Sequence, residues 1–170
     1  MGLLSNNEIE MDDFMDKEPE FEDISVLNGK VYIFGSVYDK KNKVANLLAV
    51  EIASDGKLTN NKKSLFTTTV TKNRERGAFY FKDSPAGDML LVMHASLFDK
   101  EEVIQYEIKL FNENLDIAMS NLEKVPFNDR NDLEFTIADL SVNYNDDVFL
   151  VINESYRDRK SKTNFEKFEL

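Results

Sequence analysis

Cysteine and tryptophan are absent from this chain, and histidine occurs once. Without cysteine there is no disulfide, no thiolate zinc site and no thiol nucleophile. That absence leaves the compartment open, because exported chains also do without cysteine. One histidine cannot supply a histidine-based metal site, and no carboxylate lies at a helical i+4 spacing from it. Basic residues are outnumbered, 21 Lys and Arg against 32 Asp and Glu, for a net charge of −11. With no basic stripe carrying interleaved aromatics, DNA and RNA would be repelled. The charge reads as a solvated surface that keeps the chain soluble. No apolar run approaches the roughly 20 residues of a membrane-spanning helix. The opening MGLLSNNEIEMDD lacks the basic and apolar regions of a signal peptide, and Asn6 stands where myristoylation needs Ser or Thr. P-loop, GxGxxG and GxSxG motifs are missing, and so is EF-hand or RTX calcium spacing around the acidic clusters Asp12-Asp13-Asp16 and Asp146-Asp147. No cofactor and no metal is expected.

What the chain does have is a repeat. VYIFGSVYD (Val31 to Asp39), LVMHASLFD (Leu91 to Asp99) and LVINESYRD (Leu150 to Asp158) are each an apolar run, a Ser-x-x-Asp and a charged turn. Their serines, Ser36, Ser96 and Ser155, lie about 60 residues apart, and Phe21, Phe79 and Phe135 keep nearly the same spacing. Self-similarity at such a period signals a repeat architecture. The 170 residues, 42% hydrophobic and with 13 Phe, suffice for one domain with a real core.

Within a repeat the order is strand, tight turn, apolar strand, charged turn, alternating strand, turn and outer strand. Asn28-Gly29 is a hairpin signal, since both central turn positions want φ > 0, and Asp55-Gly56 is a second. Val31 to Phe34, Met89 to Met93 and Val148 to Ile152 are the apolar strands, which continuous burial on both faces would explain. Ile104, Tyr106, Ile108 and Leu110 alternate with polar residues, the period of a half-buried strand. Leu58 to Thr71 is threonine-rich and outermost. No long amphipathic helical segment is present.

The expected fold is all-β, with β-propeller-like repeats of four antiparallel strands making about three blades of a partial or half propeller. A β-sandwich is the competitor, being built from similar short strands. The expected layout is an outer strand and connector over 1–18, blade 1 over 19–76, blade 2 over 77–132, and blade 3 over 133–170, lacking its outer strand. Leu3 to Met11, LLSNNEIEM, is similar in composition to Leu115 to Phe127 and so reads as a spare outer strand. Three blades are too few for a usual ring. Either a homodimer closes a six-bladed ring with exchanged terminal strands, or a longer chain supplies further blades.

Ser36, Asp39, Ser96, Asp99, Ser155 and Asp158 recur in every repeat. They read as structural, with side-chain hydrogen bonds that tie off the strand end and shape the turn. His94, at the end of the second apolar strand, reads as structural too. It is kept as a surface candidate beside Arg74, Arg76 and Arg130, which sit in the connectors between blades where an anion could bind. No catalytic residue is assigned.

The patterns LNGKVYIFGSVYDKKNK, LLAVEIASDGKL and NDLEFTIADLSVNYNDDVFLVINESY resemble a group of exported bacterial proteins with propeller-like repeats. The resemblance implies a periplasmic or extracellular location and an internal segment of a longer chain, and it carries no activity. The expected function is a non-catalytic binding or assembly module whose loops present a surface to a protein or glycan. The alternative is a propeller-fold enzyme, glycosidase-like or peptidase-associated, with its catalytic residues outside this segment. No nucleic-acid partner and no membrane insertion is expected.

Overall fold

The computed structural model describes residues 9, 17–70, 72–98, 103–126, 133–157 and 160–170. They form three antiparallel sheets, each a simple meander. Sheet 1 comprises β1 (Glu20–Leu27), β2 (Lys30–Asp39), β3 (Val44–Ile52) and β4 (Leu58–Thr69). Sheet 2 comprises β5 (Ala78–Asp83), β6 (Met89–Phe98), β7 (Val103–Asn112) and β8 (Ile117–Pro126). Sheet 3 comprises β9 (Leu133–Val142), β10 (Val148–Arg157) and β11 (Asn164–Glu169). A single 3-10 turn, η1 (Asn73–Arg76), is the only helical element among the described residues, and no helix is long and apolar enough to cross a membrane.

Local chemistry explains the meanders. Asn28 and Gly29 adopt φ of 47° and 80°, the left-handed pair that a two-residue hairpin needs. Two later loops repeat another device. The Asn112 side-chain oxygen accepts from the amides of Asn114 and Asp116, and the Asn143 oxygen accepts from Asn145 and Asp147. Such bonds let a side chain replace the backbone acceptor and close the loop.

Sheet 2 is the middle layer. Leu90 and Val92 of β6 join Tyr32, Phe34, Leu47, Ala49 and Phe66 of sheet 1 in one core. Leu91 and Met93, pointing the other way, join Leu140 and Val142 of sheet 3 in a second core, against which Leu150 and Ile152 pack. Strand β6 is therefore apolar at consecutive positions because each of its faces meets a sheet. Full burial of one such side chain stabilises by roughly 1.5–3 kcal/mol. In β7 only alternate residues, Ile104, Tyr106, Ile108 and Leu110, reach the second core.

The packing has a definite sense. Phe34 and Tyr32 face sheet 2, while their repeat counterparts His94 and Val92 face sheet 1. Leu91 and Met93 face sheet 3, while their counterparts Leu150 and Ile152 face sheet 2. That register of the motif does not set how the sheets are related. Strands β1 and β5 lie side by side and run the same way: Arg76, just before β5, reaches Glu20 at the start of β1, Ser25 bonds Asp83 near their ends, and the Asn28 amide in the β1–β2 turn donates to the Gly87 carbonyl in the β5–β6 turn. Strand β5 in turn lies against β9. Sheet 2 thus follows sheet 1 without being turned over, and the described residues form no closed ring.

The apolar strands are also longer than their apolar runs. Strand β2 continues through Ser36 to Asp39, with Ser36 paired to both Glu20 and Leu47. Ser96 and Ser155 likewise sit inside β6 and β10. The serines occupy ladder positions within the strands and do not end them. Asp39 does shape its turn: its carboxylate accepts from the Lys41 and Asn42 amides and from the Asn42 side chain. These bonds, the Asn42 backbone amide first, hold the Asp39 carboxyl below the usual range. Asp39 is shielded by its own turn and not by the core, although little of it meets solvent. Replacing Asp39 by alanine should speed hydrogen exchange at the Lys41 and Asn42 amides while leaving β6 protected. Unchanged exchange at those two amides would mean the carboxylate does not hold the turn.

Candidate functional site

The site lies where β4 leaves sheet 1 and the chain passes through η1 into β5. Lys72 begins the turn, its amide donating to the buried Glu75 carboxylate at 2.9 Å. Gly77 ends it with φ 71° and ψ −157°. This backbone brings the Arg76 carbonyl over the middle of sheet 2, where it meets His94 Nε2 at 2.6 Å. A carbonyl only accepts, so Nε2 carries the ring proton. On the other side of the ring Thr68 of β4 lies 3.0 Å from Nδ1, and its hydroxyl also reaches Glu107 of β7 at 3.2 Å. The ring stacks on Phe79 with centroids 4.3 Å apart and planes at 16°, and Ser96 approaches Nε2 at 3.2 Å.

His94 is 1% exposed, so its assignment to the surface is corrected. The physical reason is the facing of β6: the position meets sheet 1, and the ring bonds the connector and β4 across that interface. Burial is the main cause that holds its pKa below the ordinary histidine value, opposed by the Arg76 carbonyl and by Glu107. The charge of Lys109 adds to the lowering. Lys109 itself pairs with Glu107 at 2.9 Å and sits 4.1 Å over the Phe66 ring.

Beside this knot a cavity of about 120 Å³ opens between the two sheets. Its polar lining is Glu20, Glu22, Ser36, Asn46 and Arg76, and Val37, Tyr38, Ala45 and Phe79 supply apolar walls. The Ser36 hydroxyl donates to Glu22. Burial raises the Glu22 carboxyl pKa, the Ser36 bond works against that, and the charge of Glu20 adds to the rise. Arg76 reaches Glu20 at 3.5 Å, with both side chains well exposed, so the pair contributes little stability. Replacing Ser36 by alanine removes a bond that favours the ionised carboxylate. The Glu22 titration should then move to higher pH, as read from its side-chain carbon shifts; a downward move or none would deny the bond.

No family model, curated protein or solved structure matches the chain.

The remaining sequence candidates fall apart spatially. Arg76 reaches the cavity with its side chain, and Arg74 belongs to η1. Ser155 lies half-buried in sheet 3, away from the cavity. Asp99, Asp158 and Arg130 lie outside the described residues. Among the described residues no group of three or more His, Asp or Glu side chains gathers to hold a metal ion. Sequence reasoning missed Glu22, Thr68, Gly77 and Glu107. Only Gly77 carried a signal, a glycine at the entrance to a strand; the others belong to strands that meet by folding.

Proposed function

We propose that this chain is a repeat-built, non-catalytic binding or assembly module, and that its ligand seats in the cavity beside η1. The observation that carries this is the cavity itself, a cleft between two rigid sheets lined by carboxylate, hydroxyl, amide, guanidinium and aromatic groups. Small convergent polar sets on apolar walls are how such sites fix a ligand's orientation. Its modest size fits one side chain or one sugar ring edge of a larger protein or glycan. The side-by-side, same-way placement of the first strands β1 and β5, with β9 against β5, supports propeller-like blades over a sandwich. The exported location rests on the resemblance of the repeats alone.

An enzymatic reading keeps one observation in its favour. A carboxyl with a raised pKa in a cleft is what a general acid requires. Glu20, the nearest other carboxylate, is engaged by Arg76, which weakens that reading.

Amide shifts of the isotope-labelled chain, titrated with oligosaccharide and peptide pools, test the proposal. Perturbation should concentrate at Ser36, Gly77 and Ala78 and be lost in Glu22→Gln. Perturbation confined to other surfaces would overturn it. Turnover of a glycoside or peptide that disappears in Glu22→Gln would replace it with the enzymatic reading.

A further inference from the structure

The cavity beside η1 carries unbalanced charge. Two carboxylates of β1, Glu20 and Glu22, line it, against one guanidinium, that of Arg76. Arg76 reaches Glu20 at 3.5 Å, and both side chains stand well out in solvent. Glu22 is half-buried instead, and its hydrogen bond comes from the neutral Ser36 hydroxyl. Among the described residues no cation forms an ion pair with it. Lys109, in the neighbouring knot, is paired with Glu107. Lys17 donates to the carbonyl of Tyr38, a cavity residue.

A carboxylate drawn out of water is stabilised far more by a charged donor than by one hydroxyl. The raised pKa of Glu22 agrees with that shortfall, since burial outweighs both the Ser36 bond and the charge of Arg76. Next to the carboxylate the cavity offers Val37 and Ala45 as apolar wall. A charged head beside a carboxylate, with an aliphatic stem along apolar surface, is how long basic side chains are accommodated. A neutral sugar would hydrogen-bond the same groups and leave the excess negative charge in place.

We propose that the cavity receives a lysine or arginine side chain of a protein partner, its cationic head against the Glu22 carboxylate and its stem along Val37 and Ala45. This rests on the reading of the cavity as the binding site and adds the class of group that fills it. The net charge of −11 draws a basic partner toward the chain from a distance, so the association weakens as salt rises.

The test is an amide and side-chain carbon shift titration of the labelled chain with three small probes: Nα-acetyl-lysine amide, Nα-acetyl-arginine amide and, as the uncharged control, Nα-acetyl-norleucine amide. A cationic probe should perturb Ser36, Gly77 and Ala78, and should lower the pH at which the Glu22 carboxyl titrates. The norleucine probe should do neither. Glu22→Gln should weaken cation binding by roughly tenfold or more. Arg76→Gln should strengthen it, because Glu20 is then left unpaired and the competing charge is gone. That opposite sign separates recognition of the cation from a general loosening of the site. Equal binding of the norleucine probe, or weaker cation binding in a folded Arg76→Gln chain, overturns the proposal. So does a neutral oligosaccharide that perturbs the cavity where neither cationic probe does, although the cavity then remains the binding site. If neither the probes nor the oligosaccharide and peptide pools perturb the cavity, both readings fall together.

Discussion

Gly77→Ala should cost about 4 kcal/mol of unfolding free energy, enough to leave a marginal domain mostly unfolded. Two causes add. The glycine adopts φ 71° and ψ −157°, a region that only glycine enters freely. A Cβ there would also stand 1.9 Å from the Ala95 carbonyl oxygen and 2.8 Å from its carbon. Both atoms are backbone of β6, the strand buried on both faces, so neither can swing aside. Gly29→Ala is the control: its φ is 80°, but no atom lies within 4 Å of the added carbon. It should cost about 1–2 kcal/mol, the left-handed penalty alone. Urea unfolding of the two variants separates the effects. Equal costs would mean that the close approach of η1 to β6 is not made in solution.

His94→Phe should destabilise by about 3 kcal/mol while keeping the stacked ring on Phe79. Phenylalanine fills nearly the same space but leaves the Arg76 carbonyl and the Thr68 and Ser96 hydroxyls without their ring partner. The pH dependence gives a second signature. In the folded chain the His94 pKa is depressed, so the unfolded chain takes up the proton first. The stability that neutral His94 contributes is fully present above the unfolded value of about 6.5. It falls as the pH drops below that, by at most about 1.4 kcal/mol per pH unit, until the folded histidine itself titrates. Since this is the only histidine, the fall between pH 7 and pH 5.5 should vanish in His94→Phe. A variant that keeps the slope would place its origin in the carboxylates.

Much of the strand plan was legible because it is local. Asn28-Gly29 marks its turn through backbone conformation, and the alternation of Ile104 to Leu110 marks one buried face. The continuous run in β6 announced burial on both sides. What each side meets could not be read, because period-two alternation separates two faces without saying which sheet covers either. For that reason His94 looked like a strand-end residue and proved to be a bridge between sheets. The serines show the same limit. Ser36 and Ser96 hold one place in the repeat, yet one bonds Glu22 and the other approaches His94. Their partners are set by neighbours on other strands. The cavity was invisible for the same reason, since Glu22, Ser36 and Arg76 converge only once η1 crosses the sheet interface.

The middle position of sheet 2 is tested most directly by methyl contacts of two neighbouring residues of β6. In a methyl-labelled chain, nuclear Overhauser effects should join Val92 to Leu47 and Ala49 of sheet 1, and Leu91 to Leu140 and Leu150 of sheet 3. Sheets packed about 10 Å apart bring facing methyl groups within range of this measurement, and the opposite pairing leaves them beyond it. Contacts from Val92 to sheet 3 and from Leu91 to sheet 1 would contradict the order of the sheets.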